Sequence, residues 1–212
     1  MNQFELNTAD AWCEYYSDPS KVISAERINL VKDIHLTFLQ SALEITSNLA
    51  IEVGVGTGSL GHTLSLMAEE RGKNLDVIEI DYSLPLLMNS RTFNGNVSMN
   101  FIAADTFSLP LSAESREKVM IFHQGLLEHF NDDEINLMLS EQLRVASTVL
   151  ATVPSHLYAF KEGLRGDERL MNLDQWKNII GTKFDVDGYY YGRYADEQYH
   201  ICLCVKEKPI CQ

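Results

Sequence analysis

The stretch IEVGVGTGSLGHT, residues 51–63, decides how the rest of the sequence is interpreted. It contains four glycines within eight positions, at Gly54, Gly56, Gly58 and Gly61. The first three form a GxGxG turn at the end of an apolar run. The last three form GxGxxG, and Asp81 follows twenty residues after the last glycine, which formally satisfies the fingerprint of a nicotinamide-dinucleotide site. Because the two frames predict different ligands, the surrounding residues must decide between them.

Composition predicts one globular domain spanning residues 1–212, with 45% hydrophobic and 22% charged residues. The net charge of −13 would repel phosphate backbones and anionic lipids, so we expect neither nucleic acid nor membrane as a partner. No apolar run approaches the roughly 20 residues of a membrane span, and the N-terminal sequence lacks the pattern of an export signal. We therefore predict a cytoplasmic protein.

The periodicity of apolar residues predicts an α/β fold. An amphipathic helix begins after Ser24 and runs to about Leu43. Five strand-like runs then alternate with helical patterns, namely LAIEV, LDVIEI, MNFIAA, KVMIF and STVLATV. This alternation predicts a doubly wound, mostly parallel sheet with helices on both faces, which binds ligands at the carboxyl ends of its strands. A helix beginning at Asn172 and two further β-runs predict an antiparallel C-terminal hairpin, giving seven strands.

The residues around the glycines favour the GxGxG frame. Glu52 lies two residues before Gly54, whereas a pyrophosphate site disfavours a neighbouring carboxylate. A frame that begins at Gly56 also requires the strand to continue through Gly54, a poor strand residue. The dinucleotide frame explains Asp81, but it leaves Asp105 and the segment HQGLLEHF unexplained at the ends of the third and fourth strands.

Four motifs at successive strand ends carry a family resemblance. EVGVGTG, DYSLPLL, AADTFSLPL and HQGLLEHFND, in this order, resemble the motifs of class I S-adenosylmethionine-dependent methyltransferases, over about Leu49 to Leu143. The segment GDER (Gly166 to Arg169) followed by Trp176 also resembles small stand-alone bacterial members of the family. The resemblance implies a Rossmann-like fold, S-adenosyl-L-methionine as cofactor and S-adenosyl-L-homocysteine as product. It also implies three parts of the domain: an N-terminal helical cap or lid (1–46), a cofactor-binding core (47–155) and a substrate loop, helix and hairpin (156–212).

The resemblance gives the residues near the methionyl and ribose parts separate tasks. Gly54, Gly56 and Gly58 let the backbone approach the methionyl chain, and Glu52 orients its ammonium group. Asp81 accepts charge-assisted hydrogen bonds from the two ribose hydroxyls. The alternative for Asp81 is a helix-capping or solvated carboxylate.

The adenine and the sulfonium are assigned in the same way. Asp105 accepts a hydrogen bond from the adenine amino group, the alternative being a plain turn aspartate. Gln124 and Leu126 pass beneath the sulfonium, and Tyr16 closes over this cation together with Tyr15, unless both rings only pack in a helix. The remaining residues expected around the adenine are Tyr82, Ser83, Leu86 and Thr106.

Methyl transfer requires little catalytic machinery, because the cofactor supplies the electrophile. A hydroxyl or carbon acceptor needs a general base, for which His129, and after it His123, are the candidates; each also suits a structural role. We predict methyl transfer to an O, N or C atom of a small molecule. The alternatives are an NAD-dependent oxidoreductase and a non-catalytic S-adenosylmethionine-binding partner protein. Loop cations that would receive an acidic acceptor, or else balance nearby carboxylates, are Lys161, Arg165 and Arg169.

The sequence predicts no metal site. Some relatives hold a divalent cation with a pair like Glu128–His129 and an acidic residue three positions earlier, which is Gly125 here. The four cysteines include no CxxC pair, so we interpret them as reduced thiols rather than metal ligands.

Overall fold

The computed structural model describes residues 9–16, 24–46, 48–93, 99–112, 114, 116–160, 164 and 166–209. Its helices are α1 (Ala9–Tyr16), α2 (Ala25–Ile45), α3 (Ser59–Glu70), α4 (Leu84–Phe93), α5 (Asp132–Val145) and α6 (Leu173–Ile180). Its strands are β1 (Leu49–Val53), β2 (Asp76–Asp81), β3 (Met99–Ala103), β4 (Val119–Gln124), β5 (Thr148–Pro154), β6 (Asp185–Tyr191) and β7 (His200–Lys206).

The strands form one seven-stranded sheet in the order β3-β2-β1-β4-β5-β7-β6. The first five strands are parallel, and β7 runs antiparallel to both β5 and β6. This confirms the predicted doubly wound sheet and its C-terminal hairpin. The chain moves outward in opposite directions from β1 and β4, so a crevice opens between the carboxyl ends of these two strands.

Local sequence signals set the ends of the helices. Ser24 caps α2, because its side chain accepts a hydrogen bond from the backbone N–H of Arg27 at 3.1 Å. Asn131 and Glu134 form a reciprocal capping box at the start of α5, as the sequence predicts. Each cap satisfies backbone N–H groups that have no partner within the helix.

The core consists of two apolar layers, one on each face of the sheet. Ile51 and Val53 of β1 point into the layer covered by α5 and α6, where Trp176 is fully buried. Ala50, immediately before Ile51, points into the other layer, which α2 and α3 cover with Phe38 among other side chains. The period-two alternation of β1 therefore joins both layers and holds the glycine turn at the end of the crevice.

Candidate active site

Two adjoining cavities open at the carboxyl ends of the parallel strands. The larger cavity has a volume of about 610 Å³ and the smaller cavity about 400 Å³. They share five lining residues, which are Trp12, Tyr16, Gly54, Gln124 and Gly125. The backbone after β1 and β4 and the aromatic rings of α1 thus form the boundary between the two cavities.

The larger cavity collects the cofactor residues expected from sequence, apart from Glu52 and Gly58. Those that line it are Tyr16, Gly54, Gly56, Asp81, Tyr82, Ser83, Leu86, Asp105, Thr106, Gln124 and Leu126. Three aromatic residues that the sequence did not single out also line it, Trp12, Phe107 and Phe130. Phe107 lies two residues after Asp105 and meets Phe130 edge to face at 5.6 Å. The AADTF motif could therefore have identified Phe107 as a residue of this cavity.

Asp81 joins the glycine turn to the start of α4. Its Oδ2 accepts a hydrogen bond from the N–H of Val55 at 2.8 Å, and its Oδ1 accepts one from the N–H of Ser83 at 2.7 Å. Burial raises the pKa of the Asp81 carboxyl, and these backbone hydrogen bonds oppose the rise. The helix-capping alternative is therefore part of the geometry, although the same side chain also lines the larger cavity.

Asp105 lines the same cavity at an exposed turn. Its Oδ1 accepts a hydrogen bond from the N–H of Phe107 at 2.9 Å, the contact expected of a turn aspartate. The Asp81 and Asp105 side chains thus face one cavity rather than two.

The three glycines of the turn adopt left-handed backbone angles. Gly56 and Gly58 each lie close to a side chain, but to a different one. A Cβ on Gly56, where φ is 56°, would lie 2.7 Å from the hydroxyl oxygen of Tyr16. A Cβ on Gly58, where φ is 71°, would overlap the hydroxyl of Ser90 in α4. Gly58 lies outside both cavities, so its small size serves helix packing rather than contact with a ligand.

A buried pair of carboxyl groups supports the turn from below. Glu52 lies beside Glu79 in the parallel register of β1 and β2, and its Oε2 accepts a hydrogen bond from the N–H of Gly61 at 2.8 Å. Ser90 donates a hydrogen bond to Glu79 at 2.5 Å. Burial and the charge of Glu79 raise the pKa of Glu52, and burial raises the pKa of Glu79 to about 8. Glu52 also lines the smaller cavity, so it connects this pair to the site.

The smaller cavity contains His129 but not His123. His129 faces it from the turn after β4; its Nδ1 lies 3.1 Å from Oδ2 of Asp167, and Trp12 meets its ring edge to face at 5.0 Å. His123 lines neither cavity, because it follows Ile121 on the face of β4 covered by α5. Burial lowers the pKa of His123 to about 4, which agrees with a core side chain.

His200 and Arg27 are among the residues of the smaller cavity that the sequence analysis did not single out. His200 stacks on Tyr191, and burial lowers its pKa to about 4. Arg27 lies close enough to Tyr16 for its charge to oppose the burial-driven rise of the tyrosine pKa. Its Nε is buried and has no hydrogen-bond partner among the described residues. In the sequence, Arg27 is one of several polar residues in the amphipathic helix that begins after Ser24, so no local signal distinguishes it.

The loop cations expected from sequence do not form an acceptor site in the described structure. Lys161 and Arg165 lie outside the described residues. Arg169 donates hydrogen bonds to the carbonyl of Phe130 at 2.9 Å and to Asp132 at 2.6 Å. Arg169 therefore balances a carboxylate at the start of α5, which was the alternative expectation for these cations.

Known proteins agree with this geometry. Residues 51–148 match the family model described as a methyltransferase domain. The PH0226 protein of Pyrococcus horikoshii OT3 superposes with a TM-score of 0.68 at 15% identity, over 92% of this chain and 99% of its own. A SAM-dependent methyltransferase from Aquifex aeolicus gives 0.65 at 14% identity, over 95% and 99%. Magnesium protoporphyrin IX methyltransferase from Synechocystis PCC 6803 with bound SAH gives 0.61 at 16% identity, over 97% and 98%. No curated relative matches the sequence.

The fold is that of class I S-adenosylmethionine-dependent methyltransferases, and residues 51–148 carry the match to the methyltransferase domain model. Residues 51–148 belong to the methyltransferase domain family, and S-adenosylmethionine is the cofactor. The GxGxG frame is confirmed, and the dinucleotide alternative is rejected. None of the described helices combines the length and apolar content that a bilayer crossing requires.

We expect the buried Glu52–Glu79 pair to lower the free energy of unfolding as the pH rises. The folded pKa of Glu79, about 8, lies above the ordinary value of 4.5, so between these values the folded state holds a proton that the unfolded state releases. We expect Glu79→Gln to gain stability relative to the native protein by up to about 1.4 kcal/mol per pH unit from about pH 5 to 8. Urea unfolding at several pH values measures the difference. Glu44→Gln, at an exposed position of α2, is the control, and a pH-independent gain for Glu79→Gln would contradict the burial argument.

Proposed function

We propose that this methyltransferase transfers the methyl group of S-adenosylmethionine to an O, N or C atom of a small molecule held in the smaller cavity. The observation that carries the proposal is the pair of adjoining cavities that share Gly54, Gln124 and Gly125. Both volumes lie near or within the range of pockets that bind small ligands. The larger cavity suits a nucleoside, and the smaller one suits an acceptor on the far side of the shared residues.

The residues of the larger cavity fit the chemistry of a nucleoside that carries a positive charge. Asp81 and Asp105 present carboxylate oxygens for ribose hydroxyls and the adenine amino group. Tyr82 and Leu86 line the same cavity and form walls for a flat ring. Tyr16 lies at the shared boundary, where an aromatic face favours a sulfonium.

Arg27 is proposed to bind the methionyl carboxylate. It lines the smaller cavity together with Thr57 of the glycine turn and Ser59, which follows the turn, and its Nε is buried without a described partner. A guanidinium that faces a cavity favours an anion there, and a carboxylate matches its planar donor geometry. Glu52, which lines the same cavity, suits the ammonium group of the same methionyl chain.

The three parts of the chain have separate tasks in this proposal. Residues 1–46 cap the site, since α1 meets it through the Cys13–Ser83 contact at 2.8 Å and the packing of Trp12 against His129. Residues 47–155 hold the cofactor. Residues 156–212 shape the acceptor side and contribute Tyr158 to the smaller cavity.

In the reaction, the cofactor supplies an activated methyl group, and the protein's tasks are to align the acceptor and exclude water. The aromatic rings of Trp12 and Tyr16 separate the shared boundary from solvent. His129 is the histidine of the two sequence candidates that faces the acceptor space. The net charge of −13 supports a small acceptor in the cytoplasm over nucleic acid or a membrane. Solved proteins of this fold include a small RNA methyltransferase and a complex with a methyltransferase activator from Haloferax volcanii, so the fold itself leaves the acceptor open.

Transfer of label tests the proposal against a non-catalytic binding protein. We expect purified protein, incubated with methyl-labelled S-adenosylmethionine and a pool of small metabolites, to form a labelled product of low molecular mass. An excess of S-adenosylhomocysteine should suppress the product by competing for the same cavity. If the cofactor binds but no metabolite pool yields a labelled product, the non-catalytic alternative is correct.

Replacement of Asp81 tests the ribose assignment. Asp81→Asn keeps the size of the side chain and one oxygen but loses the charge, so we expect S-adenosylhomocysteine to bind about 10- to 100-fold more weakly, equivalent to about 1.5–3 kcal/mol. Titration calorimetry measures this loss. Asp76→Asn, at the exposed opposite end of β2, is the matched control. Unchanged affinity in a folded Asp81→Asn variant would remove Asp81 from the ribose site.

Replacement of Arg27 separates the methionyl part from the nucleoside. We expect Arg27→Met to weaken S-adenosylhomocysteine about tenfold or more and to leave 5′-methylthioadenosine unchanged, because that ligand lacks the carboxylate. Asp81→Asn should weaken both ligands. Arg91→Met, at an exposed position of α4, serves as a charge-matched control. Equal weakening of both ligands by Arg27→Met would contradict the carboxylate assignment.

A further inference from the structure

One cluster in the smaller cavity has no task in cofactor binding. It consists of His129, Asp167 and Glu168, each of which offers a ligand atom within 4.8 Å of the other two, and we call it the His129 cluster. Only 8% of the surface of His129 and 2% of the Asp167 side chain are exposed. His129 and Glu168 line the smaller cavity directly, beside Glu128.

We propose that the His129 cluster binds a divalent metal cation, with the His129 imidazole and the Asp167 and Glu168 carboxylates as ligands. The cation would in turn bind an oxygen atom of the acceptor. This second statement rests on the proposed methyl transfer, whereas the metal site itself stands on the cluster alone.

The balance of charge is the first argument for a cation. The carboxylates of Asp167 and Glu168 meet a single imidazole beside Glu128, whose pKa burial raises to about 8, and the Asp167 side chain is almost fully buried. Glu168 also accepts a hydrogen bond from the N–H of Gly166 at 2.8 Å. Buried carboxylates are costly unless a positive charge or several hydrogen bonds compensate them. Arg169, the nearest arginine in sequence, turns to Phe130 and Asp132 instead. Among the described residues, no salt bridge joins Arg27 to the cluster either.

Unpaired oxygen atoms are the second argument. Oε2 of Glu128 and Oδ1 of Asp167 are buried and have no hydrogen-bond partner among the described residues. Glu128 is 2% exposed and faces the same cavity. A general-base pair formed by His129 and Asp167 would use one carboxylate and leave these oxygens without a partner. A cation satisfies Asp167 directly, and Glu128 through a water molecule bound to the metal.

The separation of the donor atoms fits a shared ion. Nδ1 of His129 and Oδ2 of Asp167 lie 3.1 Å apart. Two ligands about 2.1 Å from a metal and at right angles to each other are about 3.0 Å apart. A mixed set of one imidazole and two carboxylates is typical of first-row transition metals such as Mn²⁺, Fe²⁺ or Zn²⁺ rather than Ca²⁺.

The sequence predicted no metal because Gly125 stands where some relatives carry an acidic ligand. The fold supplies the missing carboxylates from another segment. The N–H of Arg169 donates a hydrogen bond at 3.0 Å to the carbonyl of Glu128, which holds Asp167 and Glu168 against the turn after β4. A separation of 38 residues between His129 and Asp167 hides this arrangement from any local motif.

A cation at this place would favour a hydroxyl acceptor. Bound to the metal, the hydroxyl has a lower pKa and releases its proton to water. Its oxygen then forms a bond to the methyl carbon as the carbon–sulfur bond breaks, and the electron pair of that bond stays on sulfur. The proposal therefore narrows the acceptor class to small molecules with an acidifiable hydroxyl group.

Binding of Mn²⁺ to the full-length protein tests the metal site. After treatment with EDTA and its removal, we expect calorimetry and electron paramagnetic resonance to detect one Mn²⁺ per chain. The double variant Asp167→Asn/Glu168→Gln should bind Mn²⁺ at least tenfold more weakly. Asp133→Asn, an exposed carboxylate in the first turn of α5, should bind it like the native protein. Zn²⁺ should compete for the same site.

Affinity for S-adenosylhomocysteine is the control for folding and for the cofactor site. We expect the double variant to keep this affinity, since neither Asp167 nor Glu168 is among the residues proposed to bind the cofactor. If the native protein binds S-adenosylhomocysteine but no stoichiometric Mn²⁺ or Zn²⁺, the metal site is wrong and the methyltransferase proposal stands. If the double variant keeps both affinities, the cluster is likewise not the metal site.

Discussion

The carboxylate of Asp81 is the interaction on which the site depends. It accepts hydrogen bonds from Val55 in the glycine turn and from Ser83 at the start of α4, so one side chain fixes two backbone segments that follow neighbouring strands. Without it, the left-handed turn would keep the hydrogen bond from Gly54 to the carbonyl of Ile80 but would lose its side-chain partner at the end of β2. Because the carboxylate also lines the larger cavity, the same group that stabilises the turn can contact a ligand bound there.

The buried carboxyl pair that supports the glycine turn lowers the stability of the fold. Glu52 and Glu79 are neighbours in the register of β1 and β2, in a layer where water is excluded. Two apolar residues would pack there at lower cost. The pair binds the N–H of Gly61 and the hydroxyl of Ser90, and so joins α3 and α4 to the strands that carry the turn. The buried carboxyl groups thus position the backbone rather than strengthen the core.

Most residues that the sequence predicts for the cofactor line one cavity, whereas several residues beside the acceptor space were not predicted. Parallel strands end at one edge of the sheet, so motifs after each strand lie close together whatever the loops do. Asp81 and Asp105 could therefore be placed from strand patterns alone. Arg27 and Glu168 could not, because their positions depend on how α2 and a segment after β5 fold over that edge. His123 was a plausible base by proximity in sequence, yet strand alternation turns it toward α5.

The cofactor side and the acceptor side of the site differ in how much the sequence reveals, and this difference has a physical reason. Binding one fixed cofactor requires backbone geometry that short motifs encode, and the core residues 51–148 carry that geometry. Recognition of an acceptor requires charge at a particular point in space, which side chains from distant segments supply together. The contact between Arg169 and Glu128 holds Asp167 and Glu168 near His129, and this places two carboxylates from a distant segment beside the acceptor space. A cation there would compensate that charge and would bind the acceptor oxygen, so the stability of this wall and the choice of acceptor depend on the same ion.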